Sequence, residues 1–304
     1  MIVRPQQHWF RRLFVWHGSV LPNILFRLSL NFAMALLAVY LLPWYEDSGI
    51  RLTLGPFSLL GVAIAIFLGF RNNTSYARFS EARHLWGSLL VTARSILRQL
   101  KSALPNEADA RTFAGLLIAF AWCLKHQLRG TDCLPDLARL LPDPLFDEIA
   151  ASPFPASRLL LRMGYWLGEK RRTGEISDII YASVDRNLDE LSHILGACER
   201  LASTPIPFAY SLILHRTVYL FCTCLPFALV EDLKYMTPLV SVFISYTFLS
   251  LESVAEELED PFGTAPNDLP LNAICTNIER QLREMNDLTP IPEMLLPDRK
   301  FNLT

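Results

Sequence analysis

Residues 58–90 read SLLGVAIAIFLGFRNNTSYARFSEARHLWGSLL, an apolar run that passes into a charged, amphipathic run with no proline and no strong turn between the two. A chain that left a bilayer to begin a separate domain would break there. A helix that continues instead carries one rod through both environments, and few folds accommodate such a rod. Half of the chain is hydrophobic (51%), only 19% of it is charged, and the mean hydropathy is +0.26. That balance describes a protein partly in lipid and partly in water.

A helix needs about 20 mostly apolar residues to cross the hydrocarbon. Three uncharged runs meet this: Leu28–Tyr45, Leu52–Phe70 and Tyr235–Leu251. A fourth, Pro205–Val230, is long enough but carries His215 and Arg216 near its middle. The run Thr112–Leu124 has 13 uncharged residues, the length of a buried helix in a soluble core. Four spans leave both termini on one side. Of 28 Lys and Arg, only Arg51 and Lys234 fall in the two loops opposite the termini, so the termini and the long middle segment are expected in the cytoplasm. Short connections, EDSGIR and EDLKYM, make each pair of spans a hairpin.

The expected organisation is all-α. Residues 1–71 form an N-terminal surface segment and the first hairpin, 72–204 a cytoplasmic helical domain, 205–257 the second hairpin, and 258–304 a cytoplasmic helix and tail. Helices are expected at Ser157–Lys170, Ser177–Ala202 and Leu271–Asn286, between proline-rich breaks. No period-two alternation supports strands. The tail from Thr289, TPIPEMLLPDRKFNLT, has proline spacing suited to an extended strap or a disordered end. The N-terminus, with Trp, Phe and Arg in place of a clean apolar core, is read as a retained segment at the membrane surface.

Several function classes find no support. A net charge of -2, without basic blocks, argues against nucleic acid. The six cysteines include no CxxC pair and read as buried free thiols. There is no HxxxH, HExxH, GxSxG or Walker pattern, so neither enzyme chemistry nor a cofactor nor a metal site is expected.

Within the second span, Val62, Ile66 and Phe70 recur at four-residue spacing and form one stripe of large apolar side chains. Gly61, Ala65 and Gly69 run beside it as a small-residue face that admits close helix approach. The large stripe either faces lipid or a partner span, or it lines an axis formed by several such rods, where it acts as a constriction that gates by dewetting. Mid-span Arg216 belongs either in an ion path or, with better reason, in a hydrogen bond to another span or an acidic partner at a subunit interface, because arginine repels cations.

The stretch GFRNNTSYARFSEARHLWG resembles the bestrophin signature after the second span, in its bacterial form: a glycine-aromatic pair, an arginine-aromatic pair and then Leu-Trp-Gly. IPFAY at Ile206–Tyr210 resembles the family's Ile-Pro-x-x-Tyr, and EDPFG at Glu259–Gly263 its Asn-Pro-Phe-Gly, with Asp260 in place of asparagine. The resemblance implies a funnel-shaped homopentameric ion channel in the bacterial inner membrane, whose partners are its own copies, membrane lipid and permeant monovalent ions. It puts a hydrophobic neck at Val62, Ile66 and Phe70 and a second, cytoplasmic constriction at Ile180, with Ile179 as the neighbouring candidate. Arg78, Trp86, Pro261, Phe262 and Gly263 are expected to pack rather than touch ions. Animal relatives follow Pro-Phe-Gly with an acidic calcium clasp; here TAPNDLPLN offers Asp268 alone, so calcium gating is not expected. Bacterial resemblance implies monovalent cations, sodium favoured. The alternatives are an anion channel of the same fold and a non-conducting membrane-anchored scaffold.

Overall fold

A computed structural model describes residues 1–5, 8–48 and 53–304, with the backbone alone at residues 12, 45, 46 and 48. The expected first connection, around Arg51, and the start of the second span at Leu52 lie outside the described residues. The described helices are α1 (Trp9–Arg12), α2 (Leu21–Tyr40), α3 (Leu42–Ser48), α4 (Leu54–Ala103), α5 (Glu107–Arg129), α6 (Leu134–Leu140), α7 (Asp143–Ala150), α8 (Pro155–Arg172), α9 (Asp178–Ser203), α10 (Phe208–Leu233), α11 (Thr237–Glu259) and α12 (Leu271–Glu284). A 3-10 turn, Lys234–Met236, joins α10 to α11. Among the described residues the only β pairing is one antiparallel bridge between Ile2 and Asn302.

Local chemistry explains where these helices begin and end. Helix α4 runs unbroken for 50 residues because its only proline, Pro56, stands in the first turn, where no N–H partner is lost. Helix α5 starts at Asn106, whose side chain accepts the Ala108 N–H at 3.0 Å, and stops at Gly130, which takes φ 60°. Helix α9 starts at Ser177, whose hydroxyl accepts the Ile180 N–H at 3.4 Å. The chain divides into two compact units: residues 4–79 with 205–261, and residues 1–3, 80–204 and 262–304.

In the first unit α2, α10, α11 and the first half of α4 share a core of Ile24, Leu28, Ile64, Leu68, Val218, Phe221, Leu225 and Leu249. Three helical stretches are long and apolar enough to cross a membrane: Leu21–Tyr40, Leu54–Ala103 and Phe208–Glu259, the last folded back on itself at the 3-10 turn. Helix α2 packs on α11 through small residues, Ala35 and Ala38 on one side and Thr237, Ser241 and Ser245 on the other, all buried. Asn31 ties the group together: its Nδ2 donates to the Cys222 carbonyl at 2.6 Å, and its Oδ1 accepts from the Ser241 hydroxyl at 3.1 Å.

The first span differs from the sequence expectation. Its helix starts at Leu21 and ends at Tyr40, seven residues before and five short of the expected Leu28–Tyr45. The uncharged window stopped at Arg27, but a charge does not end a helix when it is paired. Arg27 Nη1 lies 3.5 Å from Glu252 on α11, and its guanidinium stacks 5.1 Å over Tyr219.

The second unit is built around α5, whose Phe113, Leu116, Leu117 and Phe120 are fully enclosed. The 13-residue apolar run is therefore the centre of a 23-residue buried helix. The α8 and α9 helices cover α5 on one side and α12 on another. A single carboxylate, Glu279 on α12, binds three elements. It accepts two bonds from Arg139 at 2.7 Å each, one from Arg283 Nε at 2.9 Å and one from Trp122 Nε1 at 3.0 Å. Beyond α12 the tail is extended, as its prolines require, and residues 301–303 pair with Met1 and Val3: Leu303 N–H donates to the Met1 carbonyl at 2.8 Å and Val3 N–H to Phe301 at 2.9 Å.

Burial opposes the charge on Glu279, yet the Arg139 bonds and charge outweigh it and hold the carboxyl below its ordinary value of 4.5. A carboxyl lowered on folding adds stability above its unfolded pKa and loses it as pH falls through the folded value. Glu279→Gln is expected to destabilise this unit by about 1–3 kcal/mol, since it removes the charge that faces Arg139 while that part-exposed guanidinium keeps Asp136. Thermal unfolding at pH 7 checks this, and the gap from wild type should narrow below pH 4.

Candidate functional site

Helix α4 displays two faces of opposite character. Ile64, Leu68, Arg71 and Ser75 are buried, following the helical repeat along one side. Val62, Ile66 and Phe70 are 59%, 53% and 59% exposed. At about 100° per residue, Val62 is turned about 200° from Ile64, and Ile66 about 200° from Leu68. The stripe of Val62, Ile66 and Phe70 thus lies opposite the packed face and is left largely open by the described residues.

Polar contacts at the C-terminal end of α11 fix the rotation of α4. Arg71 Nη2 lies 3.5 Å from a Glu259 oxygen, Arg78 Nε donates to the Glu259 carbonyl at 3.1 Å, and Asn72 Nδ2 donates to the Leu251 carbonyl at 3.1 Å. Tyr210 reaches the Phe67 carbonyl at 3.3 Å. With those three α4 residues turned inward, the apolar stripe has to turn outward. Of the small-residue face, Gly61 meets its own chain, since a Cβ there would stand 3.3 Å from the Phe221 ring; Ala65 is exposed and Gly69 is open.

At the start of α9 the structure separates the two isoleucines named as candidates for the second constriction. Ile179 is 82% exposed, whereas Ile180 is half-buried. The more exposed of the two is Ile179, the neighbouring candidate from sequence. A shallow open groove runs past it, lined by Asp178, Tyr181, Ala182, Asp185 and Arg186. Asp178 is held by Arg171 Nε at 2.6 Å. Between Asp178 and Glu190 the helix carries four carboxylates (Asp178, Asp185, Asp189, Glu190) and one cation, Arg186.

The remaining motif residues are structural in their contacts. Trp86 and Phe262 are enclosed, Pro261 is buried, and the Phe262 carbonyl accepts from Arg129 Nε at 3.2 Å. Asp268 is buried and closes its own turn by accepting the Ala265 N–H at 2.6 Å. Among the described residues no group of three His, Cys, Asp or Glu is placed to hold a metal. Sequence reasoning missed Glu252, the buried carboxylate that receives His215 Nδ1 at 2.5 Å as well as Arg27. A signal existed: Arg27, His215 and Glu252 each interrupt or adjoin an apolar run, and ionisable groups in such runs need partners.

The chain matches the family model described as Bacterial/Fungal Bestrophin protein over residues 1–284. The protein named voltage-dependent anion channel-forming protein YneE of Escherichia coli strain K12 is 59% identical over 304 residues, covering 100% of both chains. A protein of the same designation, RSc3414 of Ralstonia nicotianae, is 47% identical over 289 residues, 94% of each chain. The crystal structure of a bacterial bestrophin homolog from Klebsiella pneumoniae is 60% identical, with a TM-score of 0.86, covering 88% of this chain and 100% of that one.

The exposure difference at the start of α9 is open to direct test. Ile179→Cys is expected to react with a water-soluble maleimide several-fold faster than Ile180→Cys, measured by mass shift of the purified protein; equal rates would contradict the assigned helix phase.

Proposed function

The chain belongs to the bacterial and fungal bestrophin family, and from that premise we propose that it is an ion channel in which five copies surround a common axis. The observation that carries the reading is the uncovered stripe Val62, Ile66 and Phe70, opposite the packed face of α4. Five such stripes facing one another make a dry constriction, which water and ions cross only when it wets. Ile179 forms a second ring. The protein lies in the inner membrane, with residues 72–204, residues 258–304 and both termini on the cytoplasmic side, a placement supported by the sparse Lys and Arg of the opposite loops. Permeation is passive, down the gradient, with no chemical step.

An apolar neck does not choose the sign of the ion, so the choice rests on charges at the approaches. Beside exposed Ile179 the charges balance, Asp178 and Asp185 against Arg171 and Arg186, while Asp189 and Glu190 add two carboxylates further along α9, and rings of Asp and Glu favour cations. Monovalent cations, sodium favoured, are the proposed cargo. The second reading is an anion channel of the same fold, favoured by the designation that the Escherichia coli and Ralstonia relatives carry.

Planar-bilayer recording under a NaCl gradient decides between them. A reversal potential near that of sodium is the expected result; one near that of chloride would keep the fold and replace the ion, and silence from intact oligomer would remove the channel reading. Replacing Val62, Ile66 and Phe70 together with alanine should raise single-channel conductance with little change in ion preference. An assembled triple variant that conducts as wild type would contradict the neck.

A further inference from the structure

On the apolar helices α10 and α11, Arg216 and Glu256 have no hydrogen-bond or ion-pair partner among the described residues. Arg216 stands on the exposed side of α10, in line with Ile213 and Leu220, and Glu256 on the exposed side of α11. Their neighbours are ion-paired within the chain: Arg27 and His215 with Glu252, and Arg71 with Glu259. A charge left facing lipid at this position is costly, and ionisable residues in spans pair with one another or face water.

The two groups match in depth as well as in sign. His215 Nδ1 meets Glu252 at 2.5 Å and the Ile206 N–H meets Glu259 at 3.2 Å, which sets α10 and α11 antiparallel with residue 215 level with 252. Arg216 is then level with Leu251, and Glu256 lies five residues, ~7.5 Å, closer to the N-terminal end of α10. Side chains on a helix lean toward its N-terminus. Arg216 therefore leans toward the level of Glu256, and Glu256, on the antiparallel helix, leans toward the level of Arg216. In a ring whose axis follows the membrane normal, every copy holds these residues at the same depths. A head-to-tail ring also brings one face of each copy against a different face of the next, which suits an arginine on α10 and a carboxylate on α11.

We propose that Arg216 of one copy forms an ion pair with Glu256 of the next, within the membrane, and that this pair recurs at every interface of the assembly. The proposal rests on the oligomeric reading above and names the contact that holds it. It also takes Arg216 out of the ion path, where it would repel a permeant cation.

Charge reversal in the full-length chain tests it, read by size-exclusion chromatography and by the thermal midpoint of the oligomer. Arg216→Glu and Glu256→Arg should each lose oligomer, and the double variant should recover it. Two differently tagged chains, one carrying Arg216→Glu and the other Glu256→Arg, should co-purify as mixed oligomers when co-expressed, because complementary charges then meet at up to four of the five interfaces of a mixed ring. If the reversals fail to fold, Arg216→Gln and Glu256→Gln should each lower the midpoint, and together lower it less than their sum. A double reversal no better than the single ones, or Gln variants whose losses simply add, would overturn the pair. An intact Arg216→Gln oligomer with a shifted reversal potential would overturn it by returning Arg216 to the ion path. A wild-type chain that runs as a monomer would remove the oligomeric reading and the pair with it.

Discussion

A helix can bury one stripe of itself against its own chain, and whichever stripe is chosen, the opposite one is left to the surroundings. In α4 the choice is made by polar groups rather than by hydrophobicity, since Val62, Ile66 and Phe70 are as apolar as Ile64 and Leu68. Arg71, Asn72 and Arg78 find their acceptors at the end of α11, at Glu259 and Leu251. An unmade charge-assisted bond costs more than any preference among aliphatic faces. Those contacts set the rotation, and the rotation decides which side chains an assembly has available for its axis.

The same logic governs the other ionisable groups in the apolar helices. Glu252 collects Arg27 and His215, and Asn31 ties the backbone of α10 to a serine of α11. Each of these residues would be a liability alone, and each joins two elements far apart in sequence because it is not alone. Such bonds give the unit specificity that packing of small residues, Ala35 and Ala38 against Ser241 and Ser245, does not supply by itself. Where the chain leaves opposite charges unpaired at neighbouring depths, the same physics points outward, to another copy.

Much of this was legible from the residues. Apolar runs of span length need only composition to be seen, and the four-residue recurrence of Val62, Ile66 and Phe70 needs only helical periodicity. The unbroken α4 followed from the absence of proline and glycine-rich turns after Phe70. Legibility failed where a long-range partner changed the outcome or where no motif anchored a position. The start of α2 was misplaced because Arg27 looks like a boundary until Glu252 is known to face it. Between Ile180 and Ile179 the sequence offered no motif to choose by, and only the structure shows that Ile179 is the more exposed of the two. Which of two apolar stripes on α4 is buried could not be read from spacing at all, since both recur at the same interval.

The proposed neck depends on which face of α4 meets the ions. Single cysteines placed along the helix, with current recorded while a water-soluble cationic methanethiosulfonate is applied, read that face directly. Modification at 62, 66 and 70 should block the current, while cysteines at 64 and 68, on the packed side, should leave it unchanged. Block at 64 and 68 with none at 62, 66 and 70 would show that ions pass along the other face, and the assignment of the neck would be wrong.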